Sequence, residues 1–253
     1  MLTRKELKQN AKQQLSEKWG KSAVFCLIYG GAWLVIILLI GLIGSVSNII
    51  ELVCLICATI PALVTGMGFH WHFLRLQREE IGCFSDVFLP FWQVAKIIAI
   101  AILLFFVQLP FCLLANIPSI CYILHMGGYI GETMIIPLYI VGLIVCIIAF
   151  GVFCYISLTY AMITYIMYDQ NELGVIATMK RSAALMKGHK WDLFILQLSF
   201  LGWFLLGVIT CGILLLWISP YISTTIANFY DGLLQQEQKA TGAAIASEKI
   251  ANP

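Results

Sequence analysis

The sequence predicts an all-α fold, a polytopic transmembrane helical bundle of about six spans with amphipathic interfacial helices. Three observations carry that expectation. Of 253 residues, 61% are hydrophobic and only 11% charged, whereas a soluble domain has roughly 45–50% and 25%; the mean hydropathy is +0.93. Apolar runs recur at the length of about 20 residues that a helix needs to cross a hydrocarbon core about 30 Å thick. The basic residues fall only in alternate intervals between those runs.

Residues 3–21 read as a surface helix. Thr3 and Glu6 are spaced for a capping box, and Leu7, Ala11 and Leu15 repeat at i, i+4 and i+8 as an apolar stripe. Lys5, Lys8, Lys12 and Lys18 take other faces, and Trp19 closes the segment at a depth suited to an indole. Spans follow at about 23–43, 52–74 and 97–117, none of which contains a charge. The first is longer than a secretory h-region of roughly 7–15 residues, so it reads as a permanent anchor. Between the second and third, Phe84, Val87, Phe88, Phe91 and Trp92 form another amphipathic stretch, interrupted by Pro90.

The fourth span, about 137–166, lies in a long apolar run after an outer loop at 118–134. A third amphipathic stretch follows Asn171: Val175, Ile176, Met179, Ala183 and Met186 share one face, and Gly188 ends it. The fifth and sixth spans, 193–208 and 213–228, form a tight hairpin across residues 209–212. The chain therefore reads as three loose copies of a surface helix followed by a membrane hairpin. Residues 1–234 make one membrane domain. Residues 235–253 have few large apolar side chains and are expected to be a disordered tail or a weakly formed helix.

Short cytoplasmic loops retain Lys and Arg. Of the fifteen basic residues, six precede the first span, three lie between the second and third, four between the fourth and fifth, and two in the tail. The alternate loops carry only Glu51 and Glu132 as charges. Both ends of the chain are therefore expected in the cytoplasm, and the even number of spans follows from the same pattern.

The stretch Leu185-Met186-Lys187-Gly188-His189-Lys190-Trp191-Asp192-Leu193-Phe194, continuing through Gln197-Leu198-Ser199-Phe200-Leu201-Gly202-Trp203, resembles the bacterial domain-of-unknown-function 975 family of multi-pass membrane proteins. The likeness takes in Tyr165 and Asp169 to Gly174 upstream, Leu216 to Tyr221 and Phe229-Tyr230 downstream, and Lys8, Ala11-Lys12, Leu15 and Trp19-Gly20-Lys21 near the start. The family's Ile-Pro-Gly turn before the fourth span has only Ile117-Pro118-Ser119 as a displaced counterpart. The resemblance implies an integral protein of the bacterial plasma membrane, and it implies no reaction.

Residue chemistry points the same way. Walker A, His-Glu-x-x-His, Gly-x-Ser-x-Gly and dinucleotide motifs are absent, so no enzyme, cofactor or catalytic residue is expected. His70 and His72, two apart on a helix, point about 200° away from each other and are not expected to share a metal, even with Glu79, Glu80 or Cys83 nearby. Most of the nine cysteines lie in apolar runs and read as small hydrophobes, and Cys121 has no evident loop partner. A net charge of +2 gives no reason to expect nucleic acid.

The expected partners are the bilayer and its anionic headgroups, with a membrane protein or a second copy as alternatives. The contact residues would be Lys8, Lys12, Lys180, Arg181, Lys187, His189 and Lys190, with Trp19, Trp71 and Trp191 as interfacial anchors. The role that follows is membrane organisation or envelope stress. The alternative is a small-solute transporter or channel, whose path would use the neutral amides Gln108, Asn116, Gln197 and Asn228. Pro110 and Pro220 would then mark a hinge or cavity, or serve as ordinary membrane prolines.

Overall fold

A computed structural model describes residues 3–16, 18–44, 48–78, 80, 84–127, 132–210 and 212–251. Every regular element among them is a helix. Helix α1 (Arg4–Leu15) precedes α2 (Trp19–Gly44) and α3 (Asn48–Gln77), and a 3-10 segment (Phe84–Gln93) leads into α4 (Val94–Ala115). Next come α5 (Ile117–Met126), α6 (Glu132–Thr159) and α7 (Ile163–Asp169), then α8 (Val175–Leu185), α9 (Lys190–Leu198), α10 (Leu201–Ile209) and α11 (Leu215–Ala251).

Five helical stretches are long and apolar enough to cross a membrane: Trp19–Leu42, Ile49–Gln77, Phe84–Leu114, Ile136–Asp169 and Lys190–Ile209. Their mid-sections expose large side chains such as Leu34, Ile37, Leu38, Phe105, Phe106, Ile147 and Phe150. Exposed apolar surface on that scale needs lipid rather than water to cover it. The fold is thus an all-α transmembrane bundle. Part of the expected 118–134 loop is helical, as α5, and residues 128–131 lie outside the described residues.

The expected sixth span, 213–228, lies at the start of α11, which is not among the five stretches. Its low apolarity has a structural reason. Ser223, Thr224, Thr225 and Asn228 are buried inside the protein, so this half of the helix is covered by neighbours on several sides. From Leu215 to Asp231 the helix rises about 24 Å, and Asp231 meets the end of α3. Helix α11 then continues through the stretch expected as tail to Ala251, with Pro220 inside it, just as Pro110 lies inside α4.

Helix α1 starts where the capping box puts it. The Glu6 amide donates to Thr3 Oγ1 at 3.3 Å, and the Thr3 amide donates to Glu6 Oε2 at 2.6 Å. It stops at Leu15, and Trp19 opens α2 instead of closing the first helix as expected. The Leu7, Ala11 and Leu15 stripe is fully buried, and it packs on protein. Leu7 joins Ala227, Phe229, Tyr230 and Leu233 of α11, whereas Leu15 joins Phe25 and Phe73 of the α2–α3 pair. The other two amphipathic stretches meet protein with only part of their expected faces, since Phe84, Phe88, Phe91 and Trp92 of the first and Ile176 of the second are exposed. Val87 of the 3-10 segment packs with Phe25 and Phe73, and Leu185 and Met186 at the end of α8 belong to the same cluster as Leu7.

The 3-10 segment lies so close to α3 that Gly68 has no room for a side chain: a Cβ there would stand 2.6 Å from Val87 Cα. With Val87 turned in, Phe88, Phe91 and Trp92 face out, Trp92 at 93% exposure. The 209–212 turn is closed by the Gly212 amide donating to Gly207 O at 2.8 Å, with Gly212 at φ +86°.

Candidate functional site

The charged side chains gather where α2 begins and α3 and α7 end. Arg78, just past α3, is the hub. Its Nη1 and Nη2 donate to the two Asp169 oxygens at 2.6 and 2.9 Å, and Nη2 also donates to Asp231 Oδ1 at 2.6 Å. Gln77 donates to Asp231 at 2.9 Å and the Tyr230 hydroxyl to Asp169 at 2.9 Å. One planar fork thereby binds α3, α7 and α11 together. The Asp169 and Asp231 carboxylates hold the Arg78 guanidinium well above its ordinary value.

A second chain of polar contacts runs beside it. Arg75 Nε donates to Glu80 at 2.8 Å and its Nη1 donates to Asp86, whose carboxylate also meets His72 Nδ1 at 3.1 Å. The Tyr168 hydroxyl donates to Glu80 at 3.3 Å. His72 therefore faces α2 and the 3-10 segment, with its ring stacked 3.8 Å from Phe25. His70 points the other way, edge-on to Tyr165. No cluster of three metal-ligating side chains occurs among the described residues, which do not include Glu79 or Cys83. The seven described cysteines form no disulfide, and Cys211 lies outside the described residues.

The seven residues expected to meet anionic lipid divide into two groups. Lys12, Lys180 and Lys187 are exposed and have no ion pair among the described residues. The others are engaged within the protein. Lys8 Nζ donates to Ser199 O at 3.4 Å and lies 4.3 Å from the centre of the Phe200 ring. Burial lowers its ammonium below the ordinary value. Arg181 forks onto both oxygens of Glu237, Lys190 Nζ sits 3.7 Å over Tyr155, and His189 approaches Asp192 at 3.5 Å. Lys8, Arg181 and Lys190 are thus protein contacts, because each meets an aromatic ring, a carbonyl or a carboxylate on another part of the chain.

Of the three tryptophan anchors, Trp71 needs correction. It is 3% exposed, and its indole N–H donates to Thr164 O at 2.7 Å, so the ring ties α3 to α7 and does not reach headgroups. Trp191 is 68% exposed and stacked on Phe194, and half-buried Trp19 faces Tyr221. Exposed Trp92 and Phe88 have the properties expected of Trp71; the sequence puts them on one apolar face with Val87, and the 3-10 segment turns Val87 inward and leaves them outside.

The four amides are not brought together. Asn228 and Gln14 exchange side-chain hydrogen bonds at 2.8 and 3.3 Å, pinning α1 to α11. Asn116 donates to Cys112 O one turn back at 2.7 Å, and Gln197 is exposed. Gln108 lines a cavity of about 510 Å³ between α3, α4 and the α6–α7 junction, together with His70, Tyr160 and Thr164. The His70 Nδ1 is buried there without a hydrogen-bond partner among the described residues.

The family model described as Protein of unknown function (DUF975) matches residues 1–237. The chain belongs to this family. No curated protein and no solved structure matches it. The family match takes in α1 and every partner of the Arg78 hub, including Asp231 of α11, so the whole charged end of the bundle lies within the family region.

Proposed function

We propose that the protein is a non-enzymatic organiser of the bacterial plasma membrane that engages anionic lipid, or a partner protein, at its cytoplasmic face. The observation that supports this reading is the outward placement of Lys12, Lys180 and Lys187. The helices α1 and α8 bury apolar residues in the protein, which leaves these lysines exposed and without ion pairs among the described residues. Each lysine near an anionic surface contributes about 1 kcal/mol. The cytoplasmic assignment of this end, and of both chain ends, follows from the distribution of Lys and Arg. Leu215 to Asp231 would then be the sixth crossing. An envelope-stress role is compatible with the same contacts.

Reconstituted protein tests the reading. Spin-labelled phosphatidylglycerol should associate with it more strongly than spin-labelled phosphatidylcholine at low salt, and Lys12→Gln/Lys180→Gln/Lys187→Gln should reduce that preference. At 1 M salt the screening length falls to about 3 Å and the preference should largely vanish. Equal association of the two lipids at low salt would rule out the lipid contact.

A small-solute transporter is the second reading, favoured by the cavity that holds Gln108 and the unpartnered His70 nitrogen. Protein-dependent flux of ions or small solutes from liposomes, lost in Gln108→Leu, would establish it. No flux above lipid-only vesicles would exclude it for the solutes used.

A further inference from the structure

A second cavity, of about 410 Å³, opens between the start of α2 and the end of α3 at the charged end of the bundle. One face of α2 lines it in a graded order. Lys18 and Lys21 come first, with no ion pair among the described residues. Ser22 follows, 1% exposed, its hydroxyl buried without a hydrogen-bond partner among the described residues. Val24 and Ile28 come next, and they are also exposed on the lipid-facing side of the bundle at 54% and 50%. The opposite wall is formed by His72 and Leu76 of α3 with Glu80 and Phe84, and His72 stacks on Phe25 of α2 at the floor between them.

Glu80 is the acidic member of the lining, and its charge is answered within the protein by the Arg75 guanidinium at 2.8 Å and the Tyr168 hydroxyl at 3.3 Å. The two lysines therefore leave the mouth cationic. Along α2 the lining changes from ammonium groups to hydroxyl to aliphatic carbon, over about 10 Å from Lys21 to Ile28. A phospholipid has the same order of chemistry from phosphate through glycerol to acyl chain. A soluble phosphate would leave the apolar half of this wall unmatched, and a fatty tail alone would leave the lysines unmatched.

We propose that this cavity holds one anionic phospholipid, its phosphate at Lys18 and Lys21 and its first acyl carbons along Val24 and Ile28. The site rests on the anionic-lipid reading above and differs from it in kind: it is a single retained molecule rather than a preference spread over the inner face.

The test is native mass spectrometry of the full chain, released into mild detergent from nanodiscs of phosphatidylglycerol and phosphatidylcholine in equal parts. One phosphatidylglycerol should stay bound. With each lysine near an anionic surface contributing its usual share, Lys18→Gln/Lys21→Gln should weaken retention roughly 30-fold. Lys12→Gln/Lys180→Gln/Lys187→Gln should leave it unchanged. Equal retention of phosphatidylcholine, or retention indifferent to Lys18→Gln/Lys21→Gln, would overturn the site. Displacement by glycerol 3-phosphate would show a water-soluble phosphate as the ligand and would also overturn it. No bound lipid alongside an intact spin-label preference would refute the cavity alone. A bound phosphatidylglycerol in protein with no such preference would refute the diffuse contact alone.

Discussion

The Arg78 guanidinium reaches the Asp231 carboxylate at 2.6 Å across 153 residues of chain, and it holds Asp169 with the same nitrogen. Removing the cation would leave two carboxylates facing each other with, among the described residues, Gln77 and Tyr230 as donors. Arg78 keeps about a quarter of its side chain exposed, so the cost is less than that of a fully buried pair. We expect Arg78→Ala to lower stability by about 1–3 kcal/mol, read as thermal unfolding in detergent. Adding Asp169→Asn and Asp231→Asn should restore much of the loss, and no recovery would mean that the fork acts through packing rather than charge.

Gln14 and Asn228 satisfy each other's amides at the α1–α11 contact, where Asn228 is 6% exposed. Gln14→Leu strands a buried amide and should cost about 1–3 kcal/mol. Gln14→Leu/Asn228→Leu should cost less than the sum of the two single changes, and a double-mutant cycle in detergent measures the coupling.

Gly68 lets the 3-10 segment approach α3. Gly68→Ala sets a methyl group against the Val87 backbone, which cannot rotate away as a side chain can. The expected loss is about 1–3 kcal/mol. Proteolysis should become faster within Phe84–Gln93, while Gly151→Ala, where a Cβ meets nothing within 4 Å, should leave the rate unchanged.

Arg181 holds the Glu237 carboxyl below its ordinary value of 4.5. A carboxyl depressed in the folded state adds stability above its unfolded pKa, and that contribution disappears as pH falls through the folded value. The link between α8 and α11 should therefore be intact at neutral pH and release only as pH falls below the ordinary carboxyl value. Because Glu237 is 42% exposed the effect on global stability is small. Amide exchange near residue 237 should report it, and Glu237→Gln should abolish the pH dependence.

An all-helical membrane fold was legible from the apolar runs because lipid demands uninterrupted apolar length. The capping box of α1 was equally legible, since both partners lie within one turn. What covers an apolar stripe is a different matter: Leu7, Ala11 and Leu15 show the same period whether they meet lipid or α11. Trp71 was misplaced for a related reason, because an indole at a span's end looks alike in sequence whether it reaches headgroups or Thr164 O. The Arg78 hub was missed because its carboxylate partners lie 91 and 153 residues away. Counting cations by loop predicts a side of the membrane and says nothing of which cations are already neutralised. Arg181 and Glu237 make the same point.

The docking of Leu7 among Ala227, Phe229 and Tyr230 has a consequence for biogenesis. At about 5–20 residues per second, the ribosome needs roughly ten to forty seconds to deliver residue 230 after residue 7. Throughout that interval α1 is made but its resting place is not. A capped helix with an apolar stripe and outward lysines can wait on the lipid surface, so the amphipathic design that the finished bundle conceals would serve the nascent chain, and assembly would end with its earliest helix settling onto its last.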